Sequence, residues 1–414
     1  MNIYFTFSIL ITTAIILAYL NHRLIKMQTT SAIMVGALVL SLILLGLNKL
    51  GLSHLEAHVE TFVAHLHFHN LLINGMLSFL LFAGALTIDW ETFKNQRLEI
   101  FTLASVSTIA SAFLVGITSY LLFNAFHINL PFKYCMLFGA LISPTDPIAV
   151  LSMVTEIHAP KKLEVIIAGE SLFNDGVGIV IFITLYQFAF SNQPPTIHGT
   201  IILFIQQVIG GITYGAILGW LGTLLIRSVD DHKLRILITI GIVTGGYTLA
   251  QFLQISGPLA MVVAGMLVGN TCRKALPTDD SYKIIEGFWE IIDEILNAFL
   301  FLLIGFEILV MSHYFHQVLL CLLAIPLVLI IRAITVALPM NFFKRTRSYP
   351  PQTINILIWG GLRGGLAVAL ALSLPLNHYR DLILTMTYTI VVFAIVIQST
   401  TIKGLVKRSM ENKS

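Results

Sequence analysis

Ser143-Pro144-Thr145-Asp146-Pro147 interrupts an apolar run, 131 to 155, that would otherwise pass for one membrane helix. Each proline removes a backbone amide and frees the carbonyl four residues back, here those of Ala140 and Ser143. Unpaired backbone at that depth needs a cavity, an ion or a side chain, because lipid offers it no partner. A second interruption, Gly360-Gly361-Leu362-Arg363-Gly364-Gly365, makes the run from 352 to 374 locally pliable. The two broken spans stand seven spans apart, and an odd displacement reverses direction through a membrane, so they are expected to be inverted copies. Paired interrupted segments at matching positions of two halves point to the binding site of a transporter.

The rest of the chain agrees with that setting. Its 414 residues are 57% hydrophobic and 11% charged, with a mean hydropathy of +0.87, which excludes an ordinary soluble domain. Runs long enough to cross a hydrocarbon core of ~30 Å recur from end to end. They fall at 3 to 20, 31 to 50, 71 to 88, 98 to 124, 131 to 155, 163 to 190, 199 to 226, 234 to 254, 257 to 270, 288 to 312, 317 to 341, 352 to 374 and 382 to 401. The expected fold is therefore an all-α polytopic membrane protein of about 13 transmembrane helices, with the seventh span linking two inverted repeats. The ninth span is short, and an amphipathic lead-in to the tenth is expected from Tyr282. Residues 1–401 read as a single transmembrane domain and 402–414 as a short cytoplasmic tail, which leaves function to the membrane part.

Of the 24 lysines and arginines, only Lys49, Lys133 and Arg380 fall on one face, while Arg332 and Arg363 lie inside spans; all the others share the opposite face. The positive-inside rule makes that richer face cytoplasmic, with the N-terminus outside and the C-terminus inside. Arg23 and Lys26 follow the first apolar run instead of preceding it, so this span is expected to stay and not to be cleaved as a signal peptide. Cys135, Cys272 and Cys321 have no metal or redox spacing and read as packing residues. A net charge of +3 suggests no nucleic-acid partner.

Inside the sixth span lies Glu170-Ser171-Leu172-Phe173-Asn174-Asp175. A charged side chain at the bilayer centre costs at least ~2.5–3.5 kcal/mol, so it persists where it faces a cavity, pairs with a cation, or binds and releases something. Ser171 and Asp175 share one helix face, and Glu170 and Asn174 share another. Counting depth from the richer face puts Glu170 level with Arg332, so those two are expected to form a structural salt bridge. Arg363 and Asp146, one at each break, are expected to neutralise the half-helix ends there. Asp175 is left without an obvious cation. A buried acid in that position is neutralised either by a proton or by a small cation, which defines an exchange site. Oxygen donors from Ser171, Thr145 and Asp175 suit Na⁺ or Li⁺, and no imidazole or thiolate is on offer for a transition metal.

With these segments in view, the chain resembles the bacterial NhaP and eukaryotic NHE sodium/proton antiporters over almost its whole length. Leu296 to Gly305 in the tenth span and Ser256-Gly257-Pro258 through Gly269-Asn270 in the ninth fit the same pattern. The resemblance implies an NhaA-like antiporter fold whose broken helices cross at the midplane. It also implies that Asp175 binds ion and proton in turn, that Ser171, Asp146 and the backbone of Thr145 help to hold the ion, that Asn174 supports them, and that Glu170 bridges to Arg332. Asn174, where electrogenic relatives carry a second aspartate, implies electroneutral exchange of one cation for one proton. A core bundle at about 98–190 and 288–401 is expected to rock against an interface part at about 3–88 and 199–270, through which a homodimer forms. No cofactor is expected beyond the transported Na⁺ (or Li⁺) and H⁺, and the setting is the cell membrane. One departure stands out: many relatives carry an acid in the third span, where this chain reads Leu81-Phe82-Ala83-Gly84-Ala85.

Weaker signals surround this core. His54, His58, His65, His67 and His69 cluster between the second and third spans, and read as a solvated outer loop with a possible metal-binding or pH-sensing role. Glu290, Asp293 and Glu294 read as a wetted cytoplasmic face with Arg332 as a shared partner, and Glu307 as an acid that snorkels to outer water. The alternatives to Na⁺/H⁺ antiport are K⁺/H⁺ antiport on the same fold, a passive cation channel, and an intramembrane aspartyl protease with Asp146 and Asp175 as its dyad. No Gly-x-Gly-Asp motif supports the last.

Overall fold

The computed structural model describes residues 3–50, 68–156, 159–190, 196–275, 281–311 and 318–411. The chain runs as α1 (Ile3–Leu20), α2 (Thr29–Lys49), α3 (Leu77–Leu86), α4 (Trp90–Phe101), α5 (Thr108–Ala125), α6 (Phe132–Ile142), α7 (Ile148–Glu156) and α8 (Lys161–Phe190). It continues with α9 (Ile197–Arg227), α10 (His232–Phe252), α11 (Gly257–Ala275), α12 (Ser281–Met311), α13 (Val318–Phe343), α14 (Thr353–Trp359), α15 (Gly365–Leu372), α16 (His378–Phe393) and α17 (Ser399–Glu411). Single π-helical turns join α4 to α5 and α16 to α17.

Among the described residues, every expected span falls on helix outside its break. Among the described residues nine helical stretches are long and apolar enough to cross a membrane. The four expected spans outside that set are the two broken ones, the short α11 and the amphipathic α12. The fifth span is the pair α6 and α7 and the twelfth is α14 and α15, each parted at the Pro- or Gly-rich break. Helix starts follow local chemistry. Asp89 ends the turn before α4 by accepting from the Thr92 amide at 2.9 Å, and Asn377 does the same for α16 through the Arg380 amide. α12 begins at Ser281, in keeping with the lead-in expected from Tyr282.

Packing divides the helices into two groups. α2 packs against α12, α3 against α10, α11 and α12, and α9 against α10 and α11; α4 and α5 pack against α13, and α6 against α5, α8, α15 and α16, while α8 also touches α3, α9 and α11. Small residues let backbones touch where apolar burial offers no drive in lipid. Gly265 and Gly269 of α11 bring it against the Phe82 and Leu86 carbonyls of α3, and Gly215 of α9 lies on Ala260. A cavity of about 720 Å³ opens between the groups, lined by α1, α3 and α12 on one wall and by α7, α8 and α15 on the other.

Three expectations about outlying residues are refined. The three cysteines are free and buried. Glu307 does not snorkel: its side chain is buried within the protein. Of the histidine cluster, His54, His58, His65 and His67 lie outside the described residues, and His69 places Nδ1 2.9 Å from the Ala369 carbonyl of α15.

Candidate ion-binding site

The two breaks meet. The Asp146 amide donates to the Leu362 carbonyl at 2.8 Å, an isolated antiparallel bridge that is the β feature present among the described residues. Four half-helix ends therefore converge, two with unpaired amides and two with unpaired carbonyls. Asp146 serves the amide ends: its carboxylate accepts from the Ile148 amide of α7 at 2.9 Å and lies against Gly364 at the start of α15. A Cβ at Gly364 would overlap Asp146 Oδ2, so only glycine lets that carboxylate reach both ends.

The carbonyl ends are served by arginines. Arg363 Nη1 donates to the carbonyls of Ser143 at 2.6 Å and Pro144 at 2.8 Å, just past the end of α6. Ser143 is one of the two carbonyls freed by the prolines. Arg332 Nη2 donates to the Leu357 carbonyl near the end of α14 at 2.9 Å. Its Nη1 lies 2.6 Å from Glu170 Oε1, with both side chains almost fully buried. Thus Arg363 and Asp146 each hold helix ends, and among the described residues they form no ion pair with one another. The expected sharing of Arg332 by Glu290, Asp293 and Glu294 does not occur, because Glu170 and Leu357 occupy its guanidinium; those three acids line the cavity instead.

On α8, Asn174 locks the break in place. Its Oδ1 accepts from the Thr145 amide at 3.2 Å and its Nδ2 donates to Thr145 Oγ1 at 2.8 Å. Thr145 Oγ1 stands 3.3 Å from Ser171 Oγ. Gly178, which the break approaches, lies against Pro144, and Gly176 against Leu259. Asp175 is half-buried and lines the cavity together with Asp146. Among the described residues its carboxylate has no hydrogen bond and no ion pair. Hydroxyls, an amide and two carboxylates thus gather at one midplane point, with one carboxylate tied to backbone and the other open.

Asp293 and Asn297 of α12, like Glu290 and Glu294, face the cavity although the motif reading did not place them in the site. Their spacing along an amphipathic helix was visible, but an acidic stripe reads the same whether it faces bulk water or a cavity.

Residues 9–408 match the family described as sodium/hydrogen exchanger, transmembrane. The chain is 42% identical over 397 residues to the Na(+)/H(+) antiporter NhaP of Pseudomonas aeruginosa, covering 95% of this chain and 94% of that one. It is 33% identical over 377 residues to the Na(+)/H(+) antiporter NhaH of Halobacillus dabanensis, covering 90% and 91%. The solved structure of the sodium proton antiporter MjNhaP1 from Methanocaldococcus jannaschii at pH 8 superposes with a TM-score of 0.77 at 18% identity, covering 99% of this chain and all of that one.

Proposed function

The chain belongs to the sodium/hydrogen exchanger family, and on that footing we propose that Asp175 is the carboxylate at which Na⁺ (or Li⁺) and H⁺ take turns. The chain is a Na⁺/H⁺ antiporter, and K⁺/H⁺ exchange is not favoured. The observation that carries the assignment is the contrast among the acids around the two breaks. Glu170 is held by Arg332 and Asp146 by the Ile148 amide, whereas Asp175 opens on the cavity with neither kind of partner among the described residues.

In this reading a sodium ion reaches Asp175 through the cavity and takes oxygen ligands from Asp175, Asp146, Ser171 and Thr145, whose backbone contributes through the break. Asn174 keeps Thr145 in position and adds no charge, so one cation exchanges for one proton. The Glu170–Arg332 pair is structural. Rocking of α4 to α8 and α13 to α17 against α1 to α3 and α9 to α12 moves the site between the two sides. The boundary is drawn after α12, not at 288, because α12 packs along α2 and α3. Thirteen crossings, an N-terminus outside, a cytoplasmic C-terminus, a cell-membrane setting and a homodimer through the second group complete the proposal. The cavity is then open to the cytoplasm, since its lining includes Gln28 and Thr29, next to Lys26 on the positive-rich face.

Proteoliposomes carrying an internal pH dye test this. An imposed Na⁺ gradient is expected to drive protons in the opposite direction, and Asp175→Asn to abolish the response. Proton flux that ignores sodium, or full exchange in that variant, contradicts the proposal.

A further inference from the structure

α12 carries Glu286, Glu290, Asp293, Glu294 and Asn297 at three- and four-residue intervals, which aligns them on one side of the helix. Three of them are wetted or paired. Glu290 and Glu294 are exposed, and Glu286 lies 3.6 Å from Arg273 and accepts from the Tyr282 hydroxyl at 2.8 Å. Asp293 and Asn297, less exposed, differ. Both line the cavity that also reaches Asp146 and Asp175. Asn297 is 1% exposed; its amide nitrogen has the neighbouring Asp293 carboxylate within reach, whereas among the described residues its amide oxygen has no hydrogen-bond partner. A buried amide oxygen without a partner points to an occupant of the space it faces.

The cavity wall says what kind of occupant. Among the described residues it carries the carboxylates of Asp146, Asp175, Glu290, Asp293 and Glu294 and no lysine or arginine. Asp293 shares the cavity wall with Asp146 and Asp175, and among the described residues no ion pair relieves it. Carboxylate and amide oxygens are hard donors suited to small cations that keep part of their water. We propose that Asp293 and Asn297 form a second monovalent-cation subsite, on the wall of the cavity formed by α12, which holds a partly hydrated Na⁺ before it passes to Asp175. The proposal rests on Asp175 being the exchange site. A subsite of this kind concentrates the ion without taking part in its exchange with the proton, so its loss weakens loading more than turnover.

Initial exchange rates against Na⁺ concentration in proteoliposomes separate the possibilities, with D293N, D293E, N297A and D175N measured beside the parent protein. D293N and N297A are expected to raise half-saturating Na⁺ about fivefold or more while the rate at saturation is kept, which is the pattern of lost ground-state binding. D293E, which restores the carboxylate, is expected to return half-saturation most of the way. Unchanged half-saturation in N297A and D293N, or a fall in the saturating rate alone, overturns the subsite while a silent D175N leaves the Asp175 assignment standing. Exchange in D175N removes the assignment on which the subsite rests. If D293N yields no folded protein, N297A and D293E carry the same comparison.

Discussion

Glu170, Asn174 and Asp175 lie within two turns of α8, yet their neighbours give them different work. Glu170 spends its charge on Arg332 at 2.6 Å, Asn174 spends both amide atoms on Thr145, and Asp175 keeps an open carboxylate. Removing one partner of a buried ion pair strands the other, at a cost of about 3–5 kcal/mol. Glu170→Leu is therefore expected to lower the unfolding temperature in detergent far more than an exposed substitution does. The double variant Glu170→Leu with Arg332→Met is expected to recover part of that loss, since no bare charge remains; if the double is the worse of the two, the pair is not the main stabilising element there. Counting residues from the charged face was enough to bring Glu170 and Arg332 together, because a helix advances ~1.5 Å per residue and depth is then arithmetic. The same counting could not tell that Arg363 would reach the Ser143 and Pro144 carbonyls, since that depends on the path of backbone through two breaks. Nor could it separate Asp293 and Asn297 from the wetted acids beside them.

The breaks were legible for a chemical reason: proline and clustered glycine inside an apolar run leave a helix no regular way through. Their ends are then neutralised by three side chains, Asp146 at the amide ends and Arg363 and Arg332 at the carbonyl ends. Gly364 is the position where this arrangement is most sensitive, as an added Cβ would overlap Asp146 Oδ2 and stand 2.8 Å from its Cβ. Gly364→Ala is expected to suppress exchange while leaving a folded, monodisperse protein. Gly241→Ala on α10, where an added Cβ meets nothing within 4 Å, is expected to leave exchange intact and to stabilise its helix by up to ~1 kcal/mol. Equal exchange in the two variants would remove Asp146 from the site. The π-helical turns at Thr102–Ser107 and Ala394–Gln398 carry no such signature, as neither segment contains proline or glycine.

At the scale of the molecule, two helix groups face each other across one acid-lined cavity; the seven-span offset of the breaks implies inverted repeats, a division of the chain different from these two groups. The packing of α12 with α2 and α3 was not legible, because its amphipathic face suits either group. Exchange of one cation for one proton is expected to be indifferent to membrane voltage, whereas each uncompensated charge would feel ~2.3 kcal/mol per 100 mV. Initial rates at fixed ion gradients, with the potential clamped at different values by K⁺ and valinomycin, should therefore coincide; a steep dependence would show net charge movement. The central claim is that proton and sodium compete for the one carboxylate of Asp175. The most direct measurement is the half-saturating Na⁺ concentration of exchange across a series of pH values. Competition requires it to rise as pH falls, approaching ~tenfold per pH unit once the proton dominates, with the saturating rate unchanged. A saturating rate that falls with pH while half-saturation stays constant would contradict a shared site.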